Sequence, residues 1–424
     1  LGCFAKEAAM EIDKRRPVRS SRGAFHVVPL LVSFGLLGAV SAHDCEPQDF
    51  NKPNNLLITD QFNNRVIEIE PSGEIVWQYG LGPNDVTATS IVGTNDAERV
   101  GDLTLMAGTG IPAGATPNCP SGCADNRVLL VDRQGNIVWQ YGTFGVSGFG
   151  PDQLNTPVAN WMLPNGHVII TDQANQRVIE VRRSDKTIVW QYGQNGVSGS
   201  GANQLNNPNS AMLLDNGDIL IADENNNRAI EVTHDTPSQI VATFTNKGTV
   251  SGMAFASRLP NGDTLLTDSN NSRIVEVDAS DTTVWQYFTN SRPNSNASPL
   301  PTRAVRLANG DTLISDQFND QVIEVNAAKV IVASYGKINT PGFELTTADR
   351  LNAPYSAYVI GDFTGLTAPP SNPACHDSDD DKDDCCKDNE GNERCHSNNG
   401  QGHGQGQQGD NGNSNSQGQN DNSQ

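Results

Sequence analysis

The feature that most constrains this chain is a unit it writes six times over. One copy reads Asn216-Gly217-Asp218-Ile219-Leu220-Ile221-Ala222-Asp223, then Asn226-Asn227-Arg228-Ala229-Ile230-Glu231-Val232. Close copies span residues 56–69, 165–181, 261–277 and 309–325, and a divergent copy spans 101–131. Aligned on the residue after the Asn pair they sit at Arg65, Arg127, Arg177, Arg228, Arg273 and Gln321, 45 to 62 residues apart. That period belongs to a four-stranded propeller blade. Asn-Gly predicts a hairpin turn with positive φ at both central residues. Ile-Leu-Ile and Val-Ile-Glu-Val, the latter as at residues 178–181, are short runs rich in β-branched residues between turn residues. Ile188-Val189-Trp190-Gln191-Tyr192 reads as an outermost strand and recurs at 75–79, 137–141 and 284–287. The innermost strand precedes Asn-Gly, as at residues 210–214. The first unit starts at its second strand, and its missing inner strand is written at the far end, where 351–359 matches 205–213. The expectation is an all-β, six-bladed β-propeller with four-stranded blades, closed by a C-terminal inner strand in the first blade. Closure removes open sheet edges.

Between blades the chain reads Tyr192-Gly193-Gln194-Asn195-Gly196-Val197-Ser198-Gly199, then Gln204-Leu205-Asn206-Asn207-Pro208, and residues 141–157 nearly repeat it. Together with Asp-x-x-Asn-x-Arg this resembles the NHL-repeat propellers over about residues 54 to 360. A second pattern, Asp132-Arg133-Gln134-Gly135-Asn136-Ile137-Val138-Trp139, resembles the repeats of quinoprotein and arylsulfotransferase-like propellers. Both resemblances imply a propeller. The first implies a ligand- or protein-binding module; the alternative is a channel-sited enzyme, lactonase/hydrolase-like or arylsulfotransferase/quinoprotein-like. NHL-like amidating lyases hold zinc with several His, whereas residues 54–360 contain only His167 and His234. An arylsulfotransferase needs a His nucleophile, and His234 beside Asp235 sits after a third strand, away from a channel. No cofactor is assigned.

The net charge is -21, with a pI near 4.6. Such a chain lacks the basic face that nucleic acid requires. Lys14, Arg15, Arg16, Arg19 and Arg22 precede an apolar stretch over 24–40 and the small residues Val40-Ser41-Ala42. This is a signal-peptide pattern. The expected organisation is a signal peptide at 1–42, with 1–9 as an extension upstream of Met10, and a propeller at 43–368. An acidic Cys/His segment at 369–396 and a disordered Gly/Gln/Asn/Ser tail at 397–424 complete it. The protein is expected to be secreted or periplasmic, without stable membrane insertion after cleavage. Export makes disulfides the default. Cys119 and Cys123 flank Pro120-Ser121-Gly122 in an insertion of the second blade and are expected to bond. Cys375, Cys385, Cys386 and Cys395, with His376 and His396, leave disulfides and zinc both open.

Repeated residues serve the fold, since a catalytic group is normally needed once. The recurring Asp172, Asp223, Asp268 and Asp316 are expected to hold turns by accepting backbone N–H groups. The recurring Arg are expected to pair with a carboxylate or carbonyls of a neighbouring blade. Irregular residues on inner strands are the informative ones. Arg99, Arg258 and Arg306 fall at one aligned position and Arg303 lies on the strand of Arg306. Clustered guanidinium groups could bind a small anionic ligand at the channel mouth, with Trp161, Tyr355 and Tyr358 as apolar walls. The competing expectation is that each Arg pairs with an acid between blades.

Overall fold

The structure is a computed structural model that describes residues 49–343 and 347–370 and two short strands, Cys385–Lys387 and Glu393–Cys395, which pair with each other. Six four-stranded antiparallel sheets form the blades of a propeller. Each runs from an inner strand at the axis to an outer strand at the rim. In the fourth blade the order is Pro208–Leu213, Ile219–Asp223, Arg228–Val232 and Ile240–Phe244. The first blade takes its inner strand from the chain end: Pro354–Val359 lies against Leu56–Asp60, with Leu56 opposite Val359 and Leu57 opposite Tyr358.

Two faces follow from this connectivity. The short 3-10 turns between second and third strands share one face with the blade-to-blade connections. There Ala174 N–H donates to Asn155 O, and Asn225 N–H to Asn206 O. We call this the loop face. The Asn-Gly hairpins occupy the other face. Their backbone differs from expectation, because only the Gly has positive φ (Gly166, Gly217, Gly262 and Gly310, +82° to +90°). The turn is one residue longer than a two-residue hairpin: Gly166 N–H donates to Leu163 O, and Leu163 N–H to His167 O. Asn165 keeps negative φ, and its Oδ1 accepts the His167 N–H.

Five blades carry an Asp at the end of the second strand. Asp172 Oδ1 accepts Asn155 N–H at 2.7 Å, and its Oδ2 accepts Arg177 Nε–H at 2.8 Å. Asp172, Asp223 and Asp268 therefore grip the entering backbone, as expected; Asp316 does not, because its Oδ1 has no partner among the described residues and its Oδ2 takes the Arg292 and Asn319 side chains. The recurring Arg pairs within its own blade rather than with a neighbour's carboxylate, and reaches the carbonyls of the incoming connection at Phe149 and Gln153. Two blades depart from this pattern. In the second, Gly108 stands in the Asp slot and Asp125 fills it; a Cβ on Gly108 would lie 2.5 Å from the Asp125 carboxyl. In the sixth, Gln321 replaces the Arg, and Arg292 from the preceding connection pairs with Asp316 and donates to Gln321 Oε1. Outer-strand tryptophans clasp the next blade: Trp77, Trp139 and Trp285 donate to the carbonyls of Arg133, Arg183 and Ala327 at 2.9–3.2 Å.

The apolar core lies between successive blades, with one further cluster on the axis. Trp161, Met212, Phe255, Val305 and Ala357 from five inner strands meet there and are almost fully buried. Phe363 and Leu366 pack on this cluster from the hairpin face. They belong to a strap, residues 361–370, that continues from the closing strand.

Candidate functional site

The aligned position of Arg99, Arg258 and Arg306 faces the third strand of the preceding blade. In each case a glutamate waits there. Arg99 pairs with Glu68, Arg258 with Glu231 and Arg306 with Glu276, all at 2.7 Å. Where the third strand carries Leu130 instead, the next inner strand carries Met162, and both are buried in one apolar cluster. The pairing is thus a blade-to-blade contact with two chemistries, ionic or apolar. Each guanidinium also lies over an aromatic ring: Arg99 over Phe50 and Trp77, Arg258 over Phe244, Arg306 over Trp285. The three do not converge on one point, and Arg258 and Arg306 are the more exposed of them.

Arg303 is placed differently. Its side chain is 5% exposed and lies on the axis, over the Phe255 ring of the fifth blade and 2.8 Å from Asp96 of the second. Asp96 also accepts the Asn160 N–H. Next to it on the inner strand, Glu98 accepts the Met162 N–H at 2.8 Å. Burial holds the Glu98 carboxyl well above the usual range, and the neighbouring Asp96 charge adds to this. Four buried polar atoms around this centre have no partner among the described residues: Glu98 Oε1, Asn160 Oδ1 and Nδ2, and Arg303 Nη1. Tyr358 abuts the Arg99 N–H and sits 6.4 Å from Trp161, ring to ring. The Trp161 indole donates to Thr367 O of the strap at 2.7 Å. Tyr355 crosses the loop-face end of the axis from the first blade to the fourth, where its hydroxyl donates to Asn209 Oδ1 at 3.0 Å. Asn209 Nδ2 in turn donates to Glu224. So Arg303, Trp161 and Tyr355 gather on the axis and occupy it, whereas Tyr358 is buried between the first and second blades.

The two ring histidines meet on one carboxylate. His167 Nδ1 and His234 Nε2 each lie 2.6 Å from a Glu180 oxygen. Glu180 holds the aligned third-strand position whose partner on the next blade is Leu213 rather than Arg, so the histidines take the place of the missing Arg as its polar partners. Burial alone would raise this carboxyl; the two imidazole hydrogen bonds and charges outweigh it and bring it to about 2.

No family model matches the chain, and no curated protein matches it. Among solved structures it is similar to a protein of unknown function from Bacteroides caccae, at 15% identity over 70% of this chain and 97% of that one, with a TM-score of 0.48. It is similar also to virginiamycin B lyase from Staphylococcus aureus, at 14% identity over 68% and 86%, TM-score 0.42. A functionally unknown protein from Desulfotomaculum acetoxidans gives 12% identity over 72% and 98%, TM-score 0.43.

Open concavities lie off the axis. On the hairpin face a hollow of about 450 Å³ runs from Arg258 and Glu231 to Phe363 and Leu366 of the strap. On the loop face a larger one, about 570 Å³, opens over the first three blades beside the second-blade insertion. A disulfide joins Cys119 to Cys123 at its edge, as the spacing predicts. Nothing in the repeat pattern marks this hollow; the signal available was the insertion itself, the longest interval between repeats. Among the described residues no three His, Cys, Asp or Glu side chains gather as metal ligands would. The expected signal segment and the C-terminal cysteines and tail lie outside the described side chains.

Proposed function

We propose that this chain is an exported recognition module, an NHL-type propeller that takes its ligand or partner on the loop face of the ring instead of transforming a substrate inside the channel. The observation that carries this reading is the filled axis. Tyr355 bridges one end, Arg303 and Asp96 cross the middle, and Trp161 is tied to a strap over the other end. A channel-sited enzyme needs room there for a substrate. His167 and His234, the imidazoles an enzyme would call on, are both committed to Glu180. Arg99, Arg258 and Arg306 we read as staples between blades, because each guanidinium has its own carboxylate.

A second, narrower reading attaches to Arg303. Its Nη1 is buried and has no partner among the described residues, and a buried cationic donor of that kind demands an acceptor. A small anion reaching it from the loop-face end, past Tyr355, would supply one, and this is the form in which the anion site expected from sequence stands.

The test is a thermal-shift screen of the full secreted chain against small anions, uncharged metabolites and oligosaccharides, with hydrogen exchange on every hit. Protection confined to loop-face segments, with hits recovered chemically unchanged, is the expected result. Conversion of a hit into product, abolished by R303M, would overturn the recognition reading in favour of a channel enzyme. Stabilisation by carboxylate or sulfate that R303M removes would establish the anion site.

A further inference from the structure

We propose that the loop-face hollow over the first three blades binds an uncharged, polyhydroxylated ligand, a neutral glycan. This rests on the recognition reading above and names the chemistry of its ligand.

The first ground is charge. Charged residues make up 18% of this chain, yet none of the seventeen residues lining the hollow is ionisable, its one cysteine being in the disulfide. An ion entering it would shed water without meeting a counter-charge, which is costly. A neutral ligand pays no such penalty.

The second ground is hydrogen-bonding capacity left unspent. Asn126 uses Oδ1 to accept the Thr156 N–H, leaving its Nδ2 donor. Gln173 gives Nε2 to Glu224, leaving its carbonyl oxygen. Asn155 Nδ2 and the hydroxyls of Ser121 and Ser147 have no partner among the described residues. Amides and hydroxyls together offer both donors and acceptors in fixed directions. Sugar hydroxyls, which donate and accept, match that mixture.

The third ground is that the site is built and specific to one blade. The insertion that forms its wall replaces the 3-10 turn of the other blades. Ile111 and Cys123 exchange both backbone hydrogen bonds, at 2.7 and 2.9 Å, and the disulfide ties the same lip. Gly110, at φ +108°, lets the wall close: a Cβ there would lie 2.6 Å from Cys123 O. A preformed wall lowers the ordering cost of binding, and the volume falls within the ~300–1,000 Å³ usual for ligand sites. A peptide fits less well, because that exchange already uses the backbone edge of the wall and the hollow offers no charged anchor.

The probes are neutral oligosaccharides (β-glucan, xylan, mannan and chitin fragments), sulfated and uronic oligosaccharides, and end-capped peptides, arrayed against the full chain. S147W and S121W, both at exposed rim positions, fill the hollow without touching the blade core; an unchanged melting temperature checks this. The expected result is binding of at least one neutral series, weakened tenfold or more by either variant. Binding only of charged oligosaccharides or peptides, blocked by the same variants, overturns the neutral-glycan assignment and leaves loop-face recognition standing. No binding that either variant blocks overturns the hollow as a site, while the recognition reading stands or falls by the screen above.

Discussion

At the scale of single residues, the sixth blade carries an acid where its neighbours carry neutral groups. Just before the third strand every blade has a residue in the left-handed region: Asn64, Asn126, Gln176, Asn227, Ser272 and Asp320. In four of them a side-chain amide oxygen accepts an N–H from the next blade's entering chain, as Asn64 does from Gly93 and Asn227 from Gly252. Asp320 makes the same bond to Ala353 with a carboxylate. Burial raises that carboxyl to about 6, the Ala353 N–H opposes this, and the Asp60 and Asp316 charges add to it. A carboxyl whose folded pKa is raised destabilises the fold once it must ionise. The penalty grows as pH rises from the unfolded value near 4 through 6 and stays in full above. Asp320→Asn keeps the acceptor and removes the charge, so it should stabilise the protein by about 1–2 kcal/mol at pH 8, solvent screening taking part of the full effect. The gain should fade below pH 4. Urea unfolding at both pH values measures it, and equal gains at both would mean that charge is not the cause.

At the scale of elements, the contact between a third strand and the next inner strand is the joint of the ring. Glu68 and Arg99 form its most buried ionic version, 0% and 3% exposed. Removing one member of such a pair leaves an uncompensated buried charge, at a cost of about 3–5 kcal/mol. Glu68→Leu alone should therefore unfold the protein earlier by that order. Adding Arg99→Met recreates the Leu130–Met162 joint and should restore most of the loss. Part will stay lost, because Glu68 Oε1 also accepts hydrogen bonds from Asn51 and Asn55. A double-mutant cycle by chemical denaturation reads this, and additive losses would refute the joint. The alignment of repeats put Arg99, Arg258 and Arg306 at one position, but their partners lie in another element of another blade. Which strand faces which across the gap between sheets is set by blade packing, which no local pattern encodes. Arg292 in place of Gln321, and Asp125 in place of Gly108, were hidden for the same reason: each substitute comes from a connection of irregular length.

At the scale of the whole molecule, the first blade joins the first and last strands of the ring. Truncation after Pro341 removes Pro354–Val359 and leaves Leu56–Asp60 an unpaired inner edge; a cooperative thermal transition should be lost. Truncation after Ile360 removes the strap and the residues C-terminal to it but keeps the closing strand, so the ring should persist while Trp161 loses its Thr367 acceptor and its cover. A red shift of tryptophan emission without loss of cooperative melting is the expected signature; a cooperative melt from the shorter chain would refute closure through that strand. The repeat, its period and the offset between first and last units determined the ring, the blade count and the origin of the closing strand. They could do so because strand period, turn residues and copy number are local properties written in order along the chain. The tertiary structure alone decided that the axis is filled, that three of the arginines are staples while Arg303 lies on the axis, and that a neutral hollow opens over the second-blade insertion. These depend on which side chains meet across the ring, such as Trp161 and Thr367, 206 residues apart in sequence, and distance through space is what folding supplies.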